Sequence, residues 1–445
     1  MDVVRLNFSH GTHEEHAQLI KIVRNVSRSI QRPMSIIADL QGPKIRTTAN
    51  QGGGSVEVKD GQEFRITTAK CMGTSERIGT DYKNLHREVH KGDRILIDDG
   101  LIELSVLGVS GQDIRCKVIN GGPVGEHKGI NFPGVKLAVP SLDVKDRRDL
   151  RFALEHDVDY IAVSFVRCAE DVKAVRRVID KQGAHAQIIA KLEKSEALEQ
   201  LDSILSASDA VMVARGDLGV EMSPEKVPPA QKRIILRAQD FRKPVITATQ
   251  MLDSMTRNPR PTRAEASDVA NAVYDGTSAV MLSNETASGK FPLESVEMMD
   301  RIIREAESIR QPRERYVLRI RSADIAESIC QGVCDATRSL PVKCIAVFTE
   351  TGRSARLVAH HRPRCPIIGF SPNQKTRRGL ALLWGVRPRK ISRINDLDEL
   401  ARTAEWRLVE EGFAEKGDIV GIVAGVPLSV AGSTNVVKLH TVGAH

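Results

Sequence analysis

Residues 188–193 read Ile-Ile-Ala-Lys-Leu-Glu, a short apolar run that ends with two charged side chains. Six further runs have the same form, apolar at first and polar or charged at the end; they cover residues 3–7, 35–39, 160–165, 210–217, 245–249 and 279–285. Short apolar runs between helical patterns are typical of parallel strands covered on both faces. Reactive side chains at the carboxyl ends of several such strands indicate an α/β fold, a (β/α)8 TIM barrel, with its chemistry at one mouth.

The number of strand-like runs is one short of a closed barrel. We count seven such runs, whereas a closed barrel of this type has eight strands. The first run begins almost at Met1. We therefore expect either that the first barrel strand is missing upstream, which would leave two sheet edges exposed, or that the barrel closes in an unusual way.

Changes of sequence pattern divide the 445 residues, which are too many for one ordinary core, into four segments. Residues 1–42 are predicted to form the first part of the barrel domain. Residues 43–137 have short alternating segments and turns rich in glycine and aspartate, which predict an inserted β-barrel domain. The barrel pattern returns over 138–309. Residues 310–445 then predict a three-layer α/β domain, entered through a linker at 310–313.

Composition disfavours several classes of protein. Hydrophobic residues make up 41% and charged residues 27% of the chain, and no apolar stretch reaches the length of a membrane span. The net charge of +8 suits an enzyme that handles phosphates, whereas 4% aromatic residues and no RNA-binding motif argue against a nucleic-acid partner. The seven cysteines are scattered and complete no zinc motif, and no signal peptide opens the chain, so we expect reduced thiols in a cytoplasmic protein.

Two of the strand ends carry charged residues suited to a metal site. Lys191 and Glu193 are two residues apart on one predicted strand, so both side chains face the same side. Glu193 and Asp217 end successive strands, and two carboxylates with open positions suit Mg²⁺ or Mn²⁺. The alternative is an internal Lys191–Glu193 ion pair without a metal. In the turn that contains Asp217, Gly216 lets backbone N–H groups approach an anion.

The first predicted strand also ends with polar side chains. Arg5, Asn7 and Ser9 alternate on one face, and an arginine can grip a phosphate with two hydrogen bonds. The alternative is that Ser9 only caps the start of a helix.

Seven segments taken together resemble the pyruvate kinase family, in order and over essentially the whole chain: residues 5–11, 42–47, 191–193, 213–219, 248–252, 259–265 and 281–286. The family's three-part plan matches as well, with a barrel, a mobile β domain inserted after the third strand, and a C-terminal regulatory domain. The resemblance implies phosphoryl transfer from phosphoenolpyruvate to ADP in glycolysis, followed by protonation of the enolate to pyruvate. It also implies a homotetramer.

The resemblance implies roles for individual residues. Lys191 would stabilise the transferring phosphoryl group and the enolate, and Glu193 with Asp217 would hold the divalent metal. The three-carbon substrate would be bound by Gly216, Asp217 and Thr249, with its phosphate on Arg5. The nucleotide phosphates would meet Asn7, Phe8, Ser9, His10, Arg46 and Lys128, and the proton path would contain Thr249, Ser283 and Glu285.

One departure from the family concerns its potassium site. The oxygen ligands of that site match Asn7, Ser9 and Asp39, but Leu40 stands where the family has a threonine and Lys44 where it has a glutamate. An ammonium is a compact point charge similar to the missing ion. We therefore predict that Lys44 replaces K⁺, as in the potassium-independent branch that this segment resembles. The alternative is that Lys44 is a solvated loop charge.

A second polar loop lies in the C-terminal segment. Thr349, Thr351, Gly352, Arg353 and Ser354 lie between a predicted strand and helix, where hydroxyl, N–H and guanidinium groups suit a phosphate. The resemblance suggests a phosphorylated effector, a sugar phosphate or a nucleotide. The alternative is an ordinary strand-to-helix turn.

Two other functions remain open from the sequence. The chain could be another barrel enzyme acting on phosphoenolpyruvate or pyruvate, a lyase or mutase, which would make no use of Arg46 and Lys128. It could also be a truncated, non-catalytic regulatory chain, which only the missing strand supports.

Overall fold

The computed structural model describes residues 1–309, 324–394, 396–428 and 432–444. The predicted linker at 310–313 lies outside these ranges. None of the helices in the described ranges is both long and apolar enough to span a bilayer.

The chain begins with one strand–helix–strand unit: β1 (Val3–Asn7), α1 (His13–Ser29) and β2 (Ser35–Asp39). The two strands are parallel, with Asn7 opposite Asp39. Helix α1 begins where it does because Thr12 and Glu15 form a capping box that satisfies two backbone N–H groups.

A β domain follows, with one short helix: β3 (Ser55–Val58), β4 (Glu63–Thr67), β5 (Arg77–Gly79), α2 (Leu85–Glu88), β6 (Arg94–Ile97), β7 (Ile102–Ser110), β8 (Asp113–Asn120), β9 (Gly122–Gly125) and β10 (Ile130–Asn131). Six of these strands form one sheet in the order β10-β6-β7-β8-β4-β5, and β3 pairs with β9. The domain has an apolar core of its own, which includes Phe64, Ile95, Leu104 and Phe132. We call this domain the lid.

The barrel then resumes, with its strands separated by helices: α3 (Val144–Glu155), β11 (Tyr160–Val163), α4 (Ala169–Lys181), β12 (Gln187–Leu192), α5 (Ser195–Glu199), α6 (Leu201–Ala207), β13 (Ala210–Ala214), α7 (Arg215–Glu221), α8 (Val227–Asp240), β14 (Val245–Ala248), α9 (Arg263–Asp275), β15 (Ala279–Val280), α10 (Asn284–Ala287) and α11 (Pro292–Ser308). The sheet runs β1-β2-β11-β12-β13-β14-β15, with every neighbouring pair parallel. Within the described ranges this sheet has seven strands, as many as the runs seen in the sequence.

The strands bury side chains on both faces. One large cluster packs the outer face against the helices and includes Ile36, Ile188 and Val211. A second cluster fills the inside of the barrel and includes Ile37, Tyr160, Ile189 and Met212. Burial on both faces explains the continuous apolar runs, and the predicted α/β barrel is confirmed.

The last part of the chain forms a five-stranded sheet with helices on both faces: α12 (Ile325–Ser339), β16 (Val342–Phe348), α13 (Arg353–His361), β17 (Ile367–Ser371), α14 (Gln374–Leu380), β18 (Val386–Lys390), α15 (Leu397–Glu410), β19 (Ile419–Gly425) and β20 (Thr434–Thr441). The strand order is β18-β17-β16-β19-β20, with only β20 antiparallel. Separate apolar clusters lie on the two faces, one with α12 and α13 and one with α15. The predicted three-layer α/β arrangement is confirmed.

Candidate active site

Lys191 lies at the centre of the barrel mouth, near the carboxyl end of β12. Its ammonium donates to Ser164 Oγ at 2.7 Å and lies 2.8 Å from Glu193 Oε1 and 3.2 Å from Asp39 Oδ1. Burial by itself disfavours the charged ammonium, but the carboxylates of Asp39, Glu193 and Asp217 outweigh it and raise the pKa of Lys191. A permanent cation therefore faces the mouth.

Glu193 and Asp217 bring two carboxylates to the same place. Glu193 is almost completely buried, and its Oε2 accepts the Phe165 N–H at 2.7 Å. Burial, and then repulsion by Glu193, raises the pKa of Asp217 to about 6, and the charges of Lys191 and Lys44 offset this only partly. Two carboxylates that repel each other in a buried site fit a cation between them.

The donor set suits Mg²⁺. Within the described ranges, no three His, Cys, Asp or Glu side chains converge on one point as a complete metal site. An ion held by Glu193 and Asp217 alone would keep coordination positions for water and substrate, as Mg²⁺ commonly does. The Lys191–Glu193 ion pair is also present, so the alternative considered from the sequence is part of the same site.

A strained turn places Thr249 beside Gly216. Thr249 has a positive φ of 68°, and its Oγ1 accepts the Gly216 N–H at 2.9 Å and donates to Ala248 O at 2.7 Å. The turn is held by Arg215, which donates to Thr249 O at 2.7 Å and pairs with Asp268 at 2.6 Å. Strain of this kind is often found at ligand-binding sites, where the surrounding structure maintains it.

Arg5 completes the cationic side of the mouth. Its Nε donates to Asp39 Oδ2 at 2.6 Å, while its two terminal nitrogens form no hydrogen bond within the described ranges. Asp39 thus lies between Arg5 and Lys191 and holds two cations toward the same space. Neither this role of Asp39 nor the contact of Ser164 with Lys191 follows from the sequence pattern. The only signal for Ser164 was its position at the end of the run 160–165.

The loop after β1 contains the residues that the resemblance assigns to the nucleotide phosphates on the barrel side. Asn7 Oδ1 accepts the Ser9 N–H at 3.1 Å, so these two residues shape the loop, and His10 is exposed. The Phe8 side chain is buried and stacks on His16 with ring centroids 4.2 Å apart. Phe8 is therefore a core residue and not a side-chain contact for a nucleotide, because the strand alternation turns it inward.

The remaining basic residues make their contacts on or near the lid. Arg46 donates to His127 O at 3.0 Å, and Lys128 pairs with Asp98 at 3.0 Å. Lys44 lies against Gly129, where a Cβ would approach Lys44 Cε to 2.6 Å. Its charge acts on Asp217, but within the described ranges it forms no ion pair with Asp39.

Ser283 and Glu285 lie behind the turn that carries Thr249. The Glu285 carboxylate is buried and accepts the N–H groups of Leu252 at 3.1 Å and Ser283 at 2.7 Å. Within the described ranges, no direct hydrogen bond joins Glu285 to Thr249. Glu285 therefore lies near the turn that carries Thr249, and it holds the backbone of Leu252 and Ser283 in place.

The predicted effector loop lines a pocket at one end of the C-terminal sheet. Thr349, Glu350, Thr351, Arg353 and Ser354 contribute to its wall. Thr349 Oγ1 accepts the Gly352 N–H at 2.9 Å, and Arg353 pairs with Asp324.

Comparison with known proteins gives one family over most of the chain. A family model for the pyruvate kinase barrel domain matches residues 1–296, and one for the pyruvate kinase alpha/beta domain matches residues 327–440. The chain is 45% identical to pyruvate kinase of Geobacillus stearothermophilus over 99% of this chain and 76% of the relative. It is 46% identical to pyruvate kinase of Corynebacterium glutamicum over 100% of this chain and 92% of the relative.

A solved structure is also similar. A crystal structure of a pyruvate kinase from Cryptosporidium parvum matches with a TM-score of 0.93 and 38% identity, over 99% of this chain and 91% of that chain.

Proposed function

The chain belongs to the pyruvate kinase family and is a phosphotransferase, and from that premise we propose how its barrel mouth acts on phosphoenolpyruvate and ADP. The observation that carries the proposal is the Lys191 ammonium, held 2.7–3.2 Å from Ser164, Glu193 and Asp39 where the strands end. Phosphoryl transfer depends mainly on positioning and on neutralising charge, and this cation meets both needs.

The three-carbon substrate is proposed to bind between Arg5, Lys191 and the Gly216–Thr249 turn. The terminal nitrogens of Arg5, which form no hydrogen bond to the described residues, suit a phosphate. Lys191 would face the oxygens of the transferring group and of the enolate that it leaves. Gly216 and Asp217 lie at the first turn of α7, where backbone N–H groups favour an anion. The Thr249 hydroxyl, oriented by Gly216 and Ala248, lies on the proposed proton path together with Ser283 and Glu285.

Glu193 and Asp217 are proposed to hold Mg²⁺, or Mn²⁺ in its place. The ion supplies positive charge to the oxygens of the substrate phosphate when it is bound. The raised pKa of Asp217 supports this assignment, since a cation would relieve the repulsion that causes it.

The nucleotide is proposed to bind between the β1–α1 loop and the lid. Asn7, Ser9 and His10 present polar groups on the barrel side, and Arg46 and Lys128 carry cations on or near the lid. Closure of the lid would bring these cations to the phosphates and exclude water. We also propose the domain division 1–42, 43–137, 138–309 and 310–445, which the separate sheets support.

Lys44 is proposed to replace a monovalent cation, so that the enzyme does not require K⁺. The influence of its charge on Asp217 supports a position near the mouth. Contact with the oxygens of Asn7, Ser9 and Asp39 would require the Lys44 side chain to move from Gly129 when substrate binds.

Three weaker proposals complete the assignment. The pocket at residues 349–354 would bind a phosphorylated effector, although Glu350 in its wall and the Arg353–Asp324 pair weaken that case. A change in the substrate curve on adding fructose 1,6-bisphosphate, AMP or ribose 5-phosphate would support it. A homotetramer and a cytoplasmic location are proposed from the family alone.

The test is steady-state pyruvate formation from phosphoenolpyruvate and ADP with Mg²⁺, with and without K⁺ at constant ionic strength. We expect turnover in both buffers at similar rates, and a lower rate for Lys44→Glu in the buffer without K⁺. Lys59→Glu, a charge change elsewhere in the lid, is the control and should leave the rates unchanged. A rise above about tenfold on adding K⁺, which corresponds to about 1.4 kcal/mol of barrier, would contradict the role of Lys44. No ADP-dependent turnover from folded protein would contradict the reaction itself.

A further inference from the structure

The first turn of α3 touches both segments to which we assign the nucleotide. One segment is the β1–α1 loop, residues 7–11. The other is the connection that leaves the barrel for the lid, residues 42–46. Helix α3 begins at Val144, where the chain has just returned from the lid.

Lys145 holds the β1–α1 loop. Its ammonium donates to Phe8 O at 2.5 Å and to Asp149 Oδ2 at 2.5 Å. The other oxygen of Asp149 lies 2.8 Å from His13 Nε2, and the Asp149 side chain is 5% exposed. The His13 ring stacks on Phe152 with centroids 4.2 Å apart. Lys145 is thus held by the buried Asp149 carboxylate, which is itself held by His13 of α1.

Asp146, the next residue, holds the connection that leads to the lid. Its side chain is completely buried. Its Oδ1 accepts the Gly42 N–H at 3.0 Å, and its Oδ2 accepts the Asp143 N–H at 3.2 Å. Gly42 is confined on its other side, since a Cβ there would lie 2.8 Å from Phe165 Cδ2. The base of the segment that carries Arg46 is therefore tied to α3 by a short side chain.

We propose that Lys145 and Asp146 are positioning residues for ADP, because these consecutive residues fix the bases of the two nucleotide-contacting segments relative to each other. The inference rests on the proposed nucleotide site. Neither residue is among the nucleotide contacts proposed above. Their effect passes through Phe8 O and Gly42 N, and small displacements at such a site reduce binding and turnover.

The first experiment compares Lys145→Met with Lys145→Arg in steady-state assays with each substrate varied. Methionine keeps the volume and removes the donor, so we expect KM for ADP to rise about five- to tenfold, while KM for phosphoenolpyruvate changes less than about twofold. Arginine can still donate to Phe8 O and should recover part of the loss. Lys173→Met on α4 is the control, since Lys173 is 55% exposed against 41% for Lys145 and pairs only with Glu170 in the described ranges. An unchanged KM for ADP in Lys145→Met, or an equal rise for both substrates, overturns the proposal.

The second experiment compares two variants of Asp146. Asp146→Asn keeps an oxygen for the Gly42 N–H and loses only the acceptor for the Asp143 N–H, whereas Asp146→Ala removes both acceptors, so only the alanine variant should raise KM for ADP severalfold. Hydrogen–deuterium exchange of residues 7–11 in the ADP-free Lys145→Met enzyme adds a readout that does not depend on turnover. Faster exchange is expected, and unchanged exchange overturns the loop-holding role.

A separate variant keeps this inference distinct from the proposed function. Arg46→Met should raise KM for ADP if the nucleotide site is assigned correctly. If Arg46→Met raises KM for ADP but Lys145→Met and Asp146→Ala do not, only the positioning role of α3 fails. If none of these three variants raises KM for ADP, the assignment of the nucleotide site itself is wrong.

Discussion

At the scale of single residues, the site is built from charges that are unfavourable without their ligands. Asp217 is the clearest case, because burial and repulsion by Glu193 raise its pKa to about 6. An acid with a raised pKa binds its proton more tightly in the folded state, so stability falls as pH rises through the window between about 4 and 6. Above that window the ionised Asp217 carboxylate lowers the stability of the fold by an amount that no longer changes with pH.

We therefore predict that Asp217→Asn stabilises the metal-free protein by about 1–2 kcal/mol at pH 7.5 while abolishing turnover. The gain should shrink as pH falls below about 6 and nearly vanish at pH 4, where the native carboxyl is protonated. Urea unfolding of the parent and of Asp217→Asn at several pH values, without divalent metal, measures this difference in the free energy of unfolding. Asp180→Asn, at the exposed end of α4, is the control. A variant less stable than the parent at pH 7.5 would show that the carboxylate is not under strain.

Sequence periodicity was enough to place some of these residues but not their partners. Lys191 lies in β12 and Glu193 directly follows its last residue, so their common face followed from the alternation of side chains. The contacts of Lys191 with Ser164 and Asp39 depend on the register of three strands, which no local pattern specifies. Phe8 was grouped with its polar neighbours in the motif, and the inward direction of its ring, which stacks on His16, was not predicted.

At the scale of elements, the seven apolar runs predicted the seven barrel strands, but not all of their ends. The run 210–217 divides into β13 and α7 at Arg215, and the run 279–285 contains only the two residues of β15 before α10 begins. In both places a helix begins soon after the apolar residues end, and side-chain hydrogen bonds hold the turn: Arg215 donates to Thr249 O, and the Ser283 N–H donates to the Glu285 carboxylate. The position of the lid between β2 and β11 followed directly from the change in sequence pattern.

The connection from β2 to the lid depends on one glycine. Gly42 has φ of +75°, and a Cβ would meet Phe165 Cδ2 at 2.8 Å and Ser164 Cβ at 2.9 Å. Ser164 and the Phe165 N–H hold Lys191 and Glu193. We predict that Gly42→Ala lowers stability by about 2–4 kcal/mol and kcat by at least about tenfold, because the added methyl group displaces the residues that hold Lys191 and Glu193.

Gly53 provides a matched control for this prediction. Its φ is +77°, but nothing lies within 4 Å of a Cβ built there, so Gly53→Ala has the backbone strain without the collision. Urea unfolding and steady-state kinetics of both variants separate the two effects. If Gly42→Ala loses no more activity than Gly53→Ala, contact with Ser164 and Phe165 has no catalytic importance.

At the scale of the whole molecule, the C-terminal domain is packed into the amino end of the barrel. Leu382 is 2% exposed and belongs to the cluster inside the barrel, with Ile37, Tyr160 and Met212. Tyr160 donates its hydroxyl to Gly379 O at 2.8 Å, and Arg378 pairs with Asp159 at 2.6 Å. The amino end of the barrel, opposite the mouth that holds Lys191, is thus closed by a segment of the C-terminal domain. Local sequence patterns could not indicate this, because residues 160 and 379 are far apart in the chain.

The same segment also touches the predicted effector loop. Thr376 on α14 donates its hydroxyl to Glu350 O at 2.7 Å, and a Cβ on Gly352 would lie 3.3 Å from Leu380. Contacts therefore run without a break from the loop through α14 to the amino end of the barrel. The packing of Leu382 contributes to the stability of both domains.

We predict that Leu382→Ala destabilises the barrel together with the C-terminal domain, although the residue belongs only to the latter. Removing a buried leucine leaves a cavity under the inner cluster, which costs about 2–5 kcal/mol. Because both domains share the contact, calorimetry should show the transition that includes the barrel moving to lower temperature. Leu340→Ala is the control, since Leu340 is 40% exposed and should change stability by no more than about 0.5 kcal/mol. If two transitions are seen and only that of the C-terminal domain moves, Leu382 does not support the barrel. If the barrel transition moves as predicted, the amino end of the barrel depends on this leucine for its packing.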